Sequence, residues 1–299
     1  MQKNDKLTDW LPISKEELDK RGWDYVDVII VSGDAYVDHP SFGHAMIARL
    51  LEKEGLRVAI LPQPNWRDDL RDFKKLGKPR LFFGVTAGCM DSMVNHYTAF
   101  KRLRSNDAYT PGDKAGFRPD YASVVYSNIL KRLYPDVPVV LGGVEASLRR
   151  LTHYDYWSDL LKPSILIDSG ADLLIYGQGI NPLKELVKLL QNGGSINSVQ
   201  QIRQIAYVVE PGKLVGDENS IMLPAHGDCL KDKRKFAESF CTIETESNRM
   251  RAKRLIQPCG DRVTVVNPQY LPMTAAELDS AYDLPYTRMP HPRYLKRGI

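Results

Sequence analysis

Short apolar runs alternate with amphipathic stretches over the first 200 residues. The first run, residues 26–31, is rich in valine and isoleucine without polar alternation, which is typical of a strand buried on both faces. Similar runs predict four further strands, at residues 57–61, 80–83, 137–141 and 171–176. Amphipathic stretches at residues 44–54 and 181–190 predict helices. This alternation predicts an α/β fold with a doubly wound, mostly parallel sheet and helices on both of its faces.

The pattern changes after about residue 200. Residues 205–209 predict a strand, and a proline-glycine turn leads into a second strand at residues 213–215, so this part resembles a hairpin. A basic helix is expected over residues 232–254, broken near Cys241, and a further strand at residues 263–266. Repeated prolines after Pro268 leave little room for regular structure. We therefore expect a Rossmann-like domain over 1–200, an α+β extension over 201–267 and a linker or arm over 268–299.

Glycine and polar residues follow several of the predicted strands. In open α/β sheets, ligands bind outside the carboxyl ends of the strands. The sequence therefore predicts a ligand edge that contains Ser32, Gly33, Asp34, Gly142, Gly143, Glu145, Gly177 and Gly179. Gly33 has no partner glycines at the offsets of the dinucleotide fingerprint, so NAD or FAD binding is unsupported. A polar, basic insertion at residues 99–117 is expected near this edge, where it fits either a lid or an oligomer contact.

Composition places the chain among ordinary globular proteins. It has 299 residues, of which 43% are hydrophobic and 26% charged. No apolar run approaches the roughly 20 residues that cross a bilayer, and the polar start of the chain does not resemble a signal peptide. Four cysteines without paired spacing do not form a disulfide framework. We expect no membrane partner and a reducing, cytoplasmic location.

The net charge of +4 is mild, but its excess is local. Residues 231–254 contain eight basic and four acidic side chains. A solvated surface explains such a run, and a contact with RNA or another nucleic acid is the less favoured alternative.

No residue pattern identifies a catalytic or metal centre. The cysteine spacings match no zinc or cluster motif, although Cys89 is expected at the ligand edge. His39 and His44 flank the first strand–helix loop near Asp34 and Asp38, where either a metal site or ordinary loop residues are conceivable. No nucleophile elbow or P-loop is present. We therefore assign no catalytic and no metal-binding residue.

Four longer motifs carry a resemblance to a known family. They are Trp-Leu-Pro-Ile-Ser at residues 10–14, Gly-Asp-Ala-Tyr-Val-Asp-His-Pro-Ser-Phe-Gly at 33–43, Gly-Gly-Val-Glu-Ala-Ser-Leu-Arg-Arg at 142–150 and His-Pro-Arg-Tyr at 291–294. They resemble the N-terminal region of the YgiQ family of uncharacterised radical SAM proteins. The segments 26–43, 55–61, 139–147 and 172–179 are also similar to the cobalamin-binding-like domain that precedes many radical SAM cores.

The resemblance implies a partner domain that this sequence lacks. Family members continue into a TIM-barrel-like domain, where a Cys-x3-Cys-x2-Cys motif holds a 4Fe–4S cluster that binds S-adenosylmethionine. This sequence has no such motif and stops about where the barrel would begin. We expect the N-terminal region of a radical SAM protein of unknown substrate, completed by a C-terminal domain in cis or in trans. The chain by itself should not be catalytic.

The resemblance also raises cobalamin as a ligand. Cobalamin proteins with a ligating histidine use Asp-x-His-x-x-Gly after the first strand, whereas Asp38 and His39 are adjacent here and Gly43 follows four positions later. This departure implies a mode without a histidine ligand. Thr86 stands near the serine position of that pattern, so Gly43 and Thr86 join the candidate cofactor-binding residues. The alternatives are a stand-alone module for cobalamin or another phosphate-bearing small molecule, and an empty scaffold for the barrel.

Overall fold

The computed structural model describes residues 6–213 and 217–298. Its strands are β1 (Val28–Ser32), β2 (Val58–Pro62), β3 (Phe82–Thr86), β4 (Val139–Leu141), β5 (His153–Asp155), β6 (Leu160–Lys162), β7 (Leu173–Ile175), β8 (Ile205–Val209), β9 (Ser220–Met222), β10 (Arg254–Cys259) and β11 (Arg262–Val266). Its helices are α1 (Lys15–Lys20), α2 (Gly43–Lys53), α3 (Arg71–Lys74), α4 (Ser92–His96), α5 (Ala122–Leu133), α6 (Gly143–Leu148), α7 (Ile165–Ser169), α8 (Ile180–Gln191), α9 (His226–Lys231), α10 (Lys233–Ser247) and α11 (Ala275–Tyr282). None of the described helices is long and apolar enough to cross a membrane.

Nine strands form one sheet in the order β2-β1-β3-β4-β7-β8-β11-β10-β9. The pairs from β2 to β7 are all parallel, and each of these five strands is one that the apolar runs predicted. The predicted doubly wound α/β fold is confirmed. Because the chain runs outward from β1 first to β2 and then through β3 to the other side, the topology switches direction between β1 and β3, which is where such sheets bind ligands.

Helices cover both faces of the sheet. Ile30 and alternate residues of the neighbouring strands pack with the apolar sides of α2 and α8. Ile29 and Val31 point the other way, into a second core with α5 and α7. Because successive side chains of a strand point to opposite faces, one unbroken apolar run supplies both cores.

The part after residue 200 extends the same sheet. β8 lies antiparallel between β7 and β11 rather than in a hairpin with the next segment, and Leu214 and Val215 lie outside the described residues. The predicted basic helix is wrong at two points. α10 continues through Cys241, and Arg254 begins strand β10. Residues 254–259 form a strand because Leu255 and Ile256 are buried in the two opposite cores, which requires an extended backbone.

The C-terminal segment is more structured than its prolines predicted. α11 begins at a capping box between Thr274 and Glu277. The chain then lies along the loop after β1, where the Asp38 amide donates to the Met289 carbonyl (3.1 Å) and the His291 amide to the Tyr36 carbonyl (3.0 Å). The predicted division at residues 200 and 267 stays a prediction.

Candidate functional site

A cavity of about 340 Å³ lies at the carboxyl edge of the parallel strands. Its walls come from the ends of β1, β3, β4 and β7, from α2 and α8, and from α11, which contributes Leu278 and Tyr282. The volume falls within the range of about 300–1,000 Å³ that is typical of sites for small organic molecules. The cavity therefore occupies the position that the topology favours for a ligand.

Six of the ten predicted site residues line this cavity. Carboxyl ends of parallel strands meet at one edge of a sheet, which brings together residues that are far apart in sequence. The six are Gly43, Thr86, Gly142, Gly143, Gly177 and Gly179. Their role in binding a ligand stays a prediction.

Gly143 shows why this wall needs glycine. Its φ of +85° lies in the left-handed region, and a Cβ atom there would collide with the Thr86 hydroxyl group. The Thr86 Oγ1 atom in turn accepts a hydrogen bond from the Gly88 amide (3.2 Å). The backbone at the start of α6 can thus approach the end of β3 closely, which shapes this wall of the cavity.

The other four predicted residues lie behind the wall. Glu145 accepts hydrogen bonds from the amides of Ser92 (2.8 Å) and Ser123 (2.9 Å), so its carboxylate fastens two neighbouring segments. A Cβ atom at Gly33 would collide with the Ala87 carbonyl, so glycine allows the two loops to touch. Neither residue reaches the cavity surface.

Asp34 belongs to a buried ionic network. Its Oδ1 atom lies 2.9 Å from the Arg118 guanidinium, which also contacts the Asp107 carboxylate (3.0 Å). The second oxygen of Asp34 accepts a hydrogen bond from the Cys89 amide (2.7 Å). Because Asp107 lies within the insertion and Arg118 directly follows it, the network fixes the insertion to the ligand edge. No local pattern predicts the pairing of Arg118 with Asp34, since these two residues are distant in the chain.

Ser32 connects the end of β1 to His44. Its Oγ atom lies 3.2 Å from Nδ1 of His44, a residue in the first turn of α2 that is 2% exposed and lines the cavity. The Nε2 atom of His44 has no hydrogen-bond partner among the described residues. Burial lowers the pKa of this imidazole to about 4, so the ring is neutral at physiological pH.

The nearby acidic and histidine side chains do not converge on one point. His39 Nδ1 accepts a hydrogen bond from the Ser41 amide (3.1 Å), and Asp38 pairs with Arg49 (Oδ1 to Nε, 3.0 Å). Across residues 6–213 and 217–298, no group of three or more histidine, cysteine, aspartate or glutamate side chains could hold a metal ion. The four cysteines, Cys89, Cys229, Cys241 and Cys259, are free.

The described residues that line the cavity carry no charged side chain. Most are apolar, with a few polar groups from Ser41, His44, Thr86 and Gln178. The Cys89 thiol also lines the wall, and burial together with the nearby Asp34 carboxylate raises its pKa to about 12. The thiol is therefore protonated and weakly nucleophilic. The arrangement can hold an organic molecule but offers no activated nucleophile.

The basic segment 231–254 lies mainly on α10 and at its ends. Lys233, Arg234 and Lys235 are exposed. Farther along, Glu246 pairs with the Arg249 guanidinium (2.6 Å) and accepts from the Lys253 amide (2.7 Å). Part of the positive charge is thus neutralised within the molecule, which favours a solvated surface.

Comparison with known proteins gives one consistent result. The family model described as Radical SAM N-terminal matches residues 10–299. A UPF0313 protein of Porphyromonas gingivalis is 62% identical over 295 residues, which cover 98% of this chain and 46% of the relative. A UPF0313 protein of Bacteroides thetaiotaomicron is 58% identical over 98% of this chain and 49% of the relative. A UPF0313 protein of Geobacter sulfurreducens is 47% identical over 95% of this chain and 47% of the relative.

The chain thus spans about half the length of the curated relatives it matches. The family model covers nearly all of it, including each of the four motifs that carried the resemblance. The chain belongs to the Radical SAM N-terminal family.

Proposed function

We propose that this chain is the ligand-holding N-terminal half of a radical SAM protein. The observation that carries the proposal is the cavity, because it combines an apolar wall, a glycine-lined mouth and an unpartnered buried imidazole at the edge where α/β sheets bind ligands. The ligand is a substrate or a second cofactor for the remaining half. In that arrangement this chain binds and orients the ligand, and the other half supplies the reactive group.

The cluster belongs to the remaining half of the protein. The free cysteines do not come together with each other or with histidines among the described residues, so they do not fit a 4Fe–4S cluster. A cluster with an open iron position that binds S-adenosylmethionine would supply radical chemistry there. The cytosol is the proposed compartment, since its reducing conditions keep cysteines free.

The partner domain is proposed to face the insertion and the β5–β6 hairpin. These two elements touch, because the Tyr156 hydroxyl donates to the Ala99 carbonyl (2.7 Å). Together they expose Phe100 (87%) and Leu103 (70%), and exposed apolar patches often mark interaction sites. Gly112 of the insertion donates its amide hydrogen to the carbonyl of Gly298 (2.6 Å), so the C-terminal segment lies at the same edge.

A chimera tests the proposed function. This chain replaces the matching segment of the P. gingivalis relative, and both the chimera and the isolated chain are reconstituted anaerobically with iron and sulfide. We expect the chimera to show the absorption of a 4Fe–4S cluster and to release 5′-deoxyadenosine from S-adenosylmethionine when it is reduced. The isolated chain should do neither. A folded chimera without a cluster would contradict the proposal.

Cobalamin is the second candidate ligand and the basis of the alternative, a stand-alone binding module. The cavity wall contains the glycine and threonine positions that the resemblance implied. His39 does not line the cavity, and its Nδ1 accepts a hydrogen bond from the Ser41 amide, so His39 does not offer a cobalt ligand to this cavity.

Hydroxocobalamin titration decides this candidate. A binder should shift the visible spectrum of hydroxocobalamin and gain thermal stability as the ligand concentration rises. Ile47→Trp should block the effect, since Ile47 lines the cavity, and the exposed Val94→Trp on α4 is the matched control. An unchanged spectrum with the wild-type chain counts against cobalamin and leaves the cavity for another organic ligand.

A further inference from the structure

His44 lines the cavity, and its Nε2 atom is buried without a hydrogen-bond partner among the described residues. The ring is almost fully buried, and no described residue offers this nitrogen a hydrogen bond. Buried polar groups in folded proteins nearly always have a partner, because leaving one unpaired costs free energy. A group that is unpartnered beside an open cavity is most simply satisfied by a ligand.

The hydrogen bonds of Ser32 favour one tautomer of His44. The Ser32 Oγ atom accepts a hydrogen bond from the Asp34 amide (3.1 Å) and lies 3.2 Å from His44 Nδ1. In the described part of the chain, Nδ1 is the one acceptor within reach of the Ser32 hydroxyl hydrogen. If the hydroxyl donates to Nδ1, the proton of the neutral ring is on Nε2. His44 therefore presents an N–H donor.

The charges around the cavity select against an ionic ligand. The carboxylates behind the wall are already neutralised, Asp34 by Arg118 and Asp38 by Arg49. No lysine or arginine is found among the described lining residues to pair with an anion. A charged group that entered the apolar part would lose its hydration without gaining a counter-charge. The part of the ligand that packs against the apolar wall is therefore uncharged.

The positions of the apolar residues describe the space that remains. Phe82, Val140 and Ile175 come from the sheet, while Ile47 and Leu183 come from α2 and α8. The cavity thus lies between the sheet and one helical layer. A planar apolar molecule fills such a space with the least exposed surface.

We propose that the cavity binds an uncharged, planar and mainly apolar molecule whose ring nitrogen or carbonyl oxygen accepts a hydrogen bond from Nε2–H of His44. This inference rests on the proposed function, since it assumes that the cavity is the ligand site, and it specifies the chemical class of the ligand. Ser32 has a positioning role, because it holds the tautomer without touching the ligand.

Quinoline and naphthalene are suitable probes for the test. They have nearly the same shape, and quinoline differs by one ring nitrogen that accepts a hydrogen bond and is unprotonated at neutral pH. Binding to the 299-residue chain is measured by ligand-observed NMR at equal probe concentrations. We expect quinoline to bind about 5- to 10-fold more tightly than naphthalene, as one hydrogen bond to a buried donor predicts. Inorganic phosphate should not displace it.

Variants of His44 separate the hydrogen bond from the rest of the cavity. His44→Phe should abolish the preference for quinoline over naphthalene, whereas His44→Gln, which keeps an N–H donor, should retain part of that preference. His39→Phe is the matched control, since His39 is in the same loop but does not line the cavity. A melting curve confirms that each variant is folded, and the Gln variant keeps the test valid if the Phe variant is not.

The outcomes distinguish this inference from the proposed function. Equal binding of the two probes to the wild-type chain, or a preference that survives in His44→Phe, would overturn the role of His44 while the cavity remained a ligand site. Displacement of quinoline by inorganic phosphate would overturn the uncharged ligand. If neither quinoline nor naphthalene binds to the wild-type chain or to Ile47→Trp, both the inference and the ligand-holding function fail.

Discussion

Arg118 is the residue on which the ligand edge depends most. It is 1% exposed, contacts two buried aspartates and donates to the Ala87 carbonyl (2.9 Å). Removing one partner of a buried ion pair leaves the other charge unpaired in a medium of low dielectric constant. Arg118 and its two aspartates should therefore contribute more to the free energy of unfolding than an ion pair on the exposed surface does.

Arg118→Ala should lower the free energy of unfolding by about 3–5 kcal/mol, because it strands both carboxylates. Urea denaturation measures the change. Arg71→Ala is the matched control, since Arg71 pairs with Asp69 on the exposed surface, where a pair contributes about 0–1 kcal/mol. Similar losses for the two variants would show that the network does not stabilise the fold.

His44 also makes stability depend on pH. Burial lowers its pKa to about 4 in the folded chain, whereas the unfolded chain titrates near the ordinary value of 6.5. Between pH 4 and 6.5 the unfolded state binds more protons than the folded state. The free energy of unfolding therefore has its full value, with respect to His44, above pH 6.5 and falls as the pH decreases toward 4. The contribution of His44 is at most about 3 kcal/mol. His153, whose pKa burial also lowers to about 4, adds to the same window.

The measurement is the free energy of unfolding in urea across this pH window. His44→Gln should lose stability less steeply than the wild-type chain as the pH falls from 6.5 to 4, and the remaining slope should include the share of His153. Parallel pH profiles for the two proteins would contradict a buried, neutral His44.

The sequence pattern predicted the five parallel strands as well as β8 and β11, but it did not predict β9 and β10. β1 is a continuous apolar run, which is a strong local signal, and its glycine-rich end predicted where the ligand edge lies. The sequence pattern did not predict β10, because Arg254 and its basic neighbours continue the charge pattern of α10. The cavity contacts of Leu278 were also hidden, since a long-range contact leaves no local pattern.

α11 forms one side of the cavity through Leu278 and Tyr282, so its local stability bears on the shape of the cavity. Thr274→Ala removes the side-chain cap that accepts from the Glu277 amide (3.3 Å), and such a cap contributes about 1 kcal/mol. We expect amide hydrogen exchange in residues 275–282 to accelerate about 5-fold while the free energy of global unfolding changes little. Thr245→Ala, within α10, is the control and should leave exchange in α11 unchanged. Unaltered exchange in Thr274→Ala would contradict the role of this cap.

On the scale of the whole molecule, the C-terminal segment packs against the loop after β1 at the ligand edge. The loop after β1 carries Asp38, whose carboxylate accepts from the Thr287 amide (2.8 Å) while it pairs with Arg49. The same C-terminal segment includes α11, which lines the cavity. A change in the position of this segment would therefore reach the cavity directly.

A crystal structure of this chain with quinoline would test most directly whether the cavity at the carboxyl edge holds an organic ligand. We expect electron density for the quinoline ring between the sheet and α2, with the ring nitrogen about 3 Å from Nε2 of His44. An empty cavity at saturating quinoline, or quinoline bound elsewhere on the molecule, would contradict it.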